Sequence, residues 1–362
     1  MKWFMTQRLG FGLSVLNMSL SMSTKAFSPF VSPTSLLKGV FVGSGSDGMN
    51  HPEIANAVLS LTEKETKPND IHVLYLGTAT YDLPGPRERQ TQRFREAGCV
   101  VTSLDVVTNA PTKNAMEQIV SKSDVILVSG GNTLFAVDRW TTLGLHKILY
   151  EKGMMRGAVL TGGSAGAICW FQGGHSDSMD PDTYKTAMLK DKDKGGDESS
   201  SAPLTKQEKK EWEYIRVNGL GFLPGLICPH HDVTQSNGIL RSVDFDAMIL
   251  RHSSEFGIGI DHWAALEISN GNFRVISVKD KVGSAILPQG EFSPERKGIP
   301  GIWLKRVMDG DQVVHSKLCP TTGTIDQIFL QPNQKVIQDP RVDKCRLQNP
   351  DDGPRNNHNE ER

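Results

Sequence analysis

Beyond about residue 37, short apolar runs alternate with segments whose apolar positions recur every three or four residues. The runs are Gly39–Gly43, Ile71–Leu76, Val100–Val107, Val125–Val128 and Ala158–Leu160. They are short and rich in Val, Ile and Leu, which predicts buried strands. The segments between them, about 52–64, 86–97, 113–121 and 133–152, predict helices. Pro86 and Gly98 fit the start and stop of the second helix. Strand and helix in alternation predict an α/β fold: a doubly wound, mostly parallel sheet with helices on both faces. In such sheets ligands bind at the carboxyl ends of the strands, in the loops that lead into helices.

The alternation stops at 186–211, where mixed charge and a serine run predict a solvated, disordered insertion. Order resumes at Trp212, and the apolar run Leu220–Cys228 leads into Pro229-His230-His231-Asp232. A helix is expected over 238–252. Gly257–Ile268 and Phe273–Val278 predict two strands joined by Asn270-Gly271-Asn272, a hairpin signal and the start of a C-terminal antiparallel extension. From about 336 the chain is polar, and a frayed, disordered tail is expected. The picture is one α/β domain over 37–335.

Composition narrows the classes. The chain has 362 residues, 38% hydrophobic and 22% charged, as in a soluble globular protein. Forty basic against 41 acidic side chains give no argument for nucleic acid or a membrane surface as partner. Five scattered cysteines, with no C-x-x-C spacing, fit reduced thiols better than a disulfide framework or a zinc site. No apolar run reaches the roughly 18–20 residues of a membrane span. Residues 1–36 carry Lys2, Arg8 and Lys25, many serines and no acidic residue. This composition resembles an organelle transit peptide, plastid or mitochondrial, or a weak signal peptide, and is set apart from the fold.

The chemistry concentrates at Gly162-Gly163-Ser164-Ala165-Gly166, a G-x-S-x-G pattern between a strand and a helix. Glycines on both sides allow a sharp turn that holds a serine exposed and strained, the usual presentation of a nucleophile. The helix beneath adds N–H groups that suit a developing oxyanion. A serine hydroxyl needs a base within hydrogen-bond reach. Of the ten histidines, His230 and His231 follow an apolar strand at the end where the site is expected; His175 and His262 are further candidates. An acid must hold the base's tautomer. Asp177 and Asp180 follow the nucleophile's helix, and Asp232 and Asp261 are reserves. One β-α unit earlier, Ser129-Gly130-Gly131-Asn132-Thr133 ends a buried strand. Gly130 and Gly131 allow backbone N–H groups to approach a ligand, and Asn132 or Thr133 would cap the next helix.

Taken together, Gly130-Gly131-Asn132-Thr133, Gly162-Gly163-Ser164-Ala165-Gly166-Ala167 and Cys228-Pro229-His230 resemble the dipeptidase E / cyanophycinase family of serine peptidases, over about residues 38–290. The resemblance implies a flavodoxin-like fold akin to class I glutamine amidotransferases. It implies cleavage of short peptides with an N-terminal aspartate, with no metal and no organic cofactor, by a monomer or homodimer. Carried over by position, Ser164 is the nucleophile and His230 the general base. Gly131 and Ala165 supply oxyanion N–H groups, with Gly130 as the near alternative. Asp177 is the favoured acid, with Asp180 still open. Arg241 and Asn132 are the candidate substrate-binding residues; an arginine suits bidentate binding of a carboxylate. β-Aspartyl substrates of the cyanophycin kind, and a non-catalytic binding protein on the same fold, are the alternatives. An α/β-hydrolase esterase fits less well, because its histidine usually lies near the C-terminus.

Overall fold

The computed structural model describes residues 37–64, 67–190, 211–308, 310, 312–329 and 338–348. The presequence expected at 1–36 lies outside them. The strands are β1 Lys38–Val42, β2 His72–Leu76, β3 Val100–Ser103, β4 Val125–Val128, β5 Val159–Gly163, β6 Phe171–Ser176, β7 Ile215–Asn218 and β8 Leu223–Cys228. They continue with β9 Gly257–Ile260, β10 Ala264–Ser269, β11 Asn272–Ser277, β12 Ala285–Ile286, β13 Glu291–Phe292, β14 Ile302–Val307, β15 Val314–Leu318 and β16 Thr322–Thr324.

The larger sheet has eight strands in the order β16-β11-β10-β1-β5-β4-β2-β3. Its five early strands run parallel, and β10, β11 and β16 extend it antiparallel. This is the mostly parallel α/β sheet with a C-terminal antiparallel extension that the pattern predicts. Successive residues of the early strands point to opposite faces. Phe41, Leu74, Leu76, Ile126 and Val128 join one core; Val40, Val42, Val73, Tyr75, Val125 and Leu127 join the other. A strand buried on both sides must be apolar at every position, hence the unbroken runs.

Helices bracket these strands at Pro52–Ser60, Pro84–Glu96, Lys113–Ser121 and Thr133–Leu143. The last is shorter than expected because Gly144, at φ 72, breaks it before Leu145–Ile148. A second sheet, β15-β14-β9-β8-β6-β7, has β6, β8 and β9 parallel at its centre.

Four further expectations change. The helix after Ser164 spans only Ala165–Ile168, and the chain then enters β6. The run Gly257–Ile268 is two strands: β9 belongs to the second sheet and β10 pairs with β1 in the first. The expected frayed tail holds a helix at Arg341–Gln348, anchored by buried Cys345 and by a two-pronged Arg346–Asp138 ion pair. The expected insertion begins with a short helix, Lys185–Lys190, and its residues 191–210 lie outside those described. The Asn270-Gly271 turn is as predicted: both residues have positive φ, and β10 and β11 pair across it.

Candidate active site

The end of β1 is the hub of the site. The Ser164 N–H donates to the Val42 carbonyl at 3.2 Å, and the His230 N–H donates to the Gly43 carbonyl at 2.8 Å. The elbow after β5 and the turn after β8 thus hang on consecutive carbonyls, although they come from different sheets. Space here is so tight that a Cβ on Gly163 would overlap the Ser44 carbonyl. A Cβ on Gly43 would overlap the Asp261 carbonyl on the other side. Glycine at both positions is a condition for the close approach.

Ser164 has φ 54 and ψ −122, and His230 has φ 49. Such backbones cost about 1–3 kcal/mol each and persist only where the surroundings enforce them. Here the β1 hydrogen bonds and the Gly163 contact do so. The Ser164 hydroxyl has no hydrogen-bond partner among the described residues. The same is true of the N–H groups of Ala165, the first residue of the short helix, and Gly131, at φ 115. Those two donors therefore remain for an oxyanion. Gly130 packs against the elbow, but its N–H is taken by Gln90 Oε1 at 3.2 Å. The oxyanion alternative at Gly130 is thus disfavoured by that existing bond.

The base candidates separate clearly. His230 Nδ1 lies 2.9 Å from His262 Nδ1, and its Nε2 has no partner among the described residues. Burial holds the His230 imidazole well below the ordinary histidine range, helped by the neighbouring His262 ring and by the positive charges of Arg241 and Arg296. His231 points away, into Phe245, Phe292 and Trp303. His175 is fully buried and bonded to Asp244 at 2.9 Å, and burial pulls its pKa down to about 4.

The expected acid goes elsewhere. Asp177 pairs with Arg241 at 3.1 Å and accepts a hydrogen bond from Gln235, whereas His230 bonds to His262. The reason is the short helix: the chain turns into β6 and delivers Asp177 to the Arg241–Arg251 helix instead of to His230. Asp180 caps its own turn and accepts from Ser236. Asp261 is spent on Ser284 and the Gly301 N–H, and burial raises its pKa to about 6. Asp232 binds the His262 N–H and Arg296.

Arg241 is fully buried, held by Asp177, the His175 carbonyl and Gln235, and lies over the Tyr214 ring. As placed, it is a core ion-pair member and not an open receptor for a substrate carboxylate. Asn132 caps the following helix through Phe135 N–H at 3.0 Å and reaches Thr183, so its side chain is committed too. Two residues that the sequence did not put forward as partners of the base, His262 as its hydrogen-bond neighbour and Asp47 behind it, are joined to it. Among the described residues no cluster of three or more His, Cys, Asp or Glu could hold a metal ion. No helix among them is long and apolar enough to cross a membrane.

Residues 40–191 match the model of peptidase family S51. The chain is 31% identical over 214 residues to an uncharacterized peptidase, YgaJ, of Bacillus subtilis, covering 59% of this chain and 76% of that one. It is 29% identical over 322 residues to a Trypanosoma brucei brucei protein named G2/mitotic-specific cyclin-1, covering 84% and 91% respectively. Among solved structures, a peptidase from an acI-B1 actinobacterium superposes with a TM-score of 0.48 at 17% identity, over 80% of this chain and 96% of that one. The family match includes the Gly130–Thr133 turn and the whole serine elbow. The chain belongs to peptidase family S51 and is a serine-type peptidase.

Proposed function

We propose that the protein is a serine exopeptidase that hydrolyses short peptides with an N-terminal aspartate, with Ser164 as nucleophile and His230 as general base. The observation that carries this reading is the strained elbow: an unpartnered Ser164 hydroxyl beside two unclaimed N–H groups, tied to the same end of β1 as His230. In the proposed cycle Ser164 Oγ attacks the scissile carbonyl carbon and its proton passes to His230 Nε2. The Gly131 and Ala165 N–H groups hold the oxyanion. The C–N bond breaks as His230 returns the proton to the leaving amine. Water, deprotonated by the same nitrogen, then attacks the acyl carbon, the bond to Ser164 Oγ breaks, and the proton passes from His230 back to Oγ.

The acidic preference draws its support from the family resemblance. Arg241 and Arg296 are the arginines that act electrostatically on His230, and each is ion-paired, to Asp177 and to Asp232. Arg296 is the more open of the two, 28% exposed, against a fully buried Arg241.

The test compares Asp-Leu, Leu-Leu and N-acetyl-Asp-Leu as substrates of wild type, with Ser164→Ala as the control. Asp-Leu should be cleaved at least about tenfold better than the others in kcat/KM, a difference of roughly 1.4 kcal/mol. Equal rates on Asp-Leu and Leu-Leu would refute the specificity; efficient cleavage of the acetylated peptide would refute exopeptidase action.

A further inference from the structure

Among the described residues no carboxylate bonds to the His230 ring, whose partner is His262. All four aspartates considered for that place, Asp177, Asp180, Asp232 and Asp261, are bound to other groups. We propose that His262, backed by Asp47, is the positioning residue for His230, so that the catalytic line reads Ser164, His230, His262, Asp47. The inference rests on the assignment of Ser164 and His230 made above.

The hydrogen-bond directions are mutually consistent. His262 Nε2 lies 3.1 Å from Asp47 Oδ2, and an ionised carboxylate only accepts, so Nε2 carries the hydrogen. In the neutral ring, His262 Nδ1 then holds a lone pair. It can accept across the 2.9 Å contact only if His230 Nδ1 is the donor. That places the His230 lone pair on Nε2, the tautomer a general base toward Ser164 requires. Asp47 selects the tautomer of His262, and His262 selects that of His230.

The line is held rigidly from several sides. The His262 N–H donates to Asp232 Oδ1 at 2.7 Å, and Asp232 is clamped by Arg296 at 2.7 Å. The Trp263 ring packs edge-on against the His262 ring at 4.9 Å. The charged groups facing the line are Arg241 and Arg296 at His230, Asp232 at the His262 backbone, and Lys281 at Asp47 and over Trp263. The bond from His262 holds the Asp47 carboxyl below its ordinary range, so Asp47 stays ionised. A neutral imidazole stabilises the imidazolium of His230 less than a carboxylate would. The base of this enzyme therefore stays neutral to lower pH than a carboxylate-backed histidine.

The experiment measures kcat and KM for Asp-Leu from acid to alkaline pH in wild type, His262→Ala, His262→Glu, Asp47→Asn, Asp177→Asn and Ser164→Ala, with urea midpoints as a check on folding. His262→Ala should lower kcat by about 10²–10⁴-fold with KM nearly unchanged. His262→Glu should recover most of that loss. It should also move the acid limb of kcat/KM upward, because a carboxylate beside His230 raises its pKa. Asp47→Asn should cost about tenfold or less, since Asp47 is half-exposed and the polarisation it supplies is screened. A folded His262→Ala with wild-type kcat would overturn the inference while an inactive Ser164→Ala left the peptidase reading standing. So would a His262→Glu that neither restores kcat nor moves the acid limb, or an Asp177→Asn that lowers kcat where His262→Ala does not. An active Ser164→Ala would overturn the underlying assignment itself.

Discussion

Ser164→Ala is expected to lower kcat for peptide hydrolysis by about 10³–10⁶-fold, the range for loss of a serine nucleophile. What survives should come from the Gly131 and Ala165 donors and from substrate binding. Stability should hardly change. The hydroxyl has no hydrogen-bond partner to lose, and alanine inherits the same strained backbone. His230→Ala should cost a similar factor, and the double variant should be no worse than the worse single, because the two groups act as one unit. Turnover of Asp-Leu alongside urea unfolding decides the matter. Substantial activity in a folded Ser164→Ala would remove the serine from the mechanism.

Glu255→Ala should be the most damaging single change to stability, at about 3–5 kcal/mol. Arg216 and Glu255 are each 2% exposed and meet through two parallel hydrogen bonds of 2.8 Å, Nε to Oε2 and Nη2 to Oε1. Deleting the carboxylate leaves a guanidinium in the interior with Asn218 as its one side-chain acceptor among the described residues. That is a large part of the roughly 5–15 kcal/mol by which a folded domain exceeds its unfolded chain. Urea unfolding reads the loss directly, and a shift below about 1 kcal/mol would mean that water reaches Arg216. Replacing both partners with apolar residues of similar size should recover much of the stability, since the pair's desolvation cost disappears with it.

The parts of this enzyme legible in the sequence are those written in local pattern. Val125–Val128 is unmistakable because both its faces are buried, and Gly162–Gly166 because close approaches to Ser44 beyond β1 and to Val128 at the end of β4 leave its glycines no room for a side chain. The acid end of the line was not legible, for a physical reason. Gly257–Ile268 reads as one apolar strand, but the chain leaves one sheet at Ile260 and joins the other at Ala264, and His262 occupies the crossing. Sheet membership depends on partners far along the chain. Asp47, 215 residues from His262, is brought to it only by the pairing of β1 with β10. Asp177 misled in the opposite way: it is close to Ser164 in sequence, but a four-residue helix and an immediate strand carry it off to Arg241.

The hanging of both turns on β1 has a consequence for the order in which the enzyme comes into being. Synthesis completes β1 to β5, with Ser164 in its elbow, long before β8, β9 and β10 exist. During that interval the growing chain carries a nucleophile without a base. Hydrolytic competence arrives late and all at once, when the second sheet closes on the Gly43 carbonyl and His230 and His262 take their places.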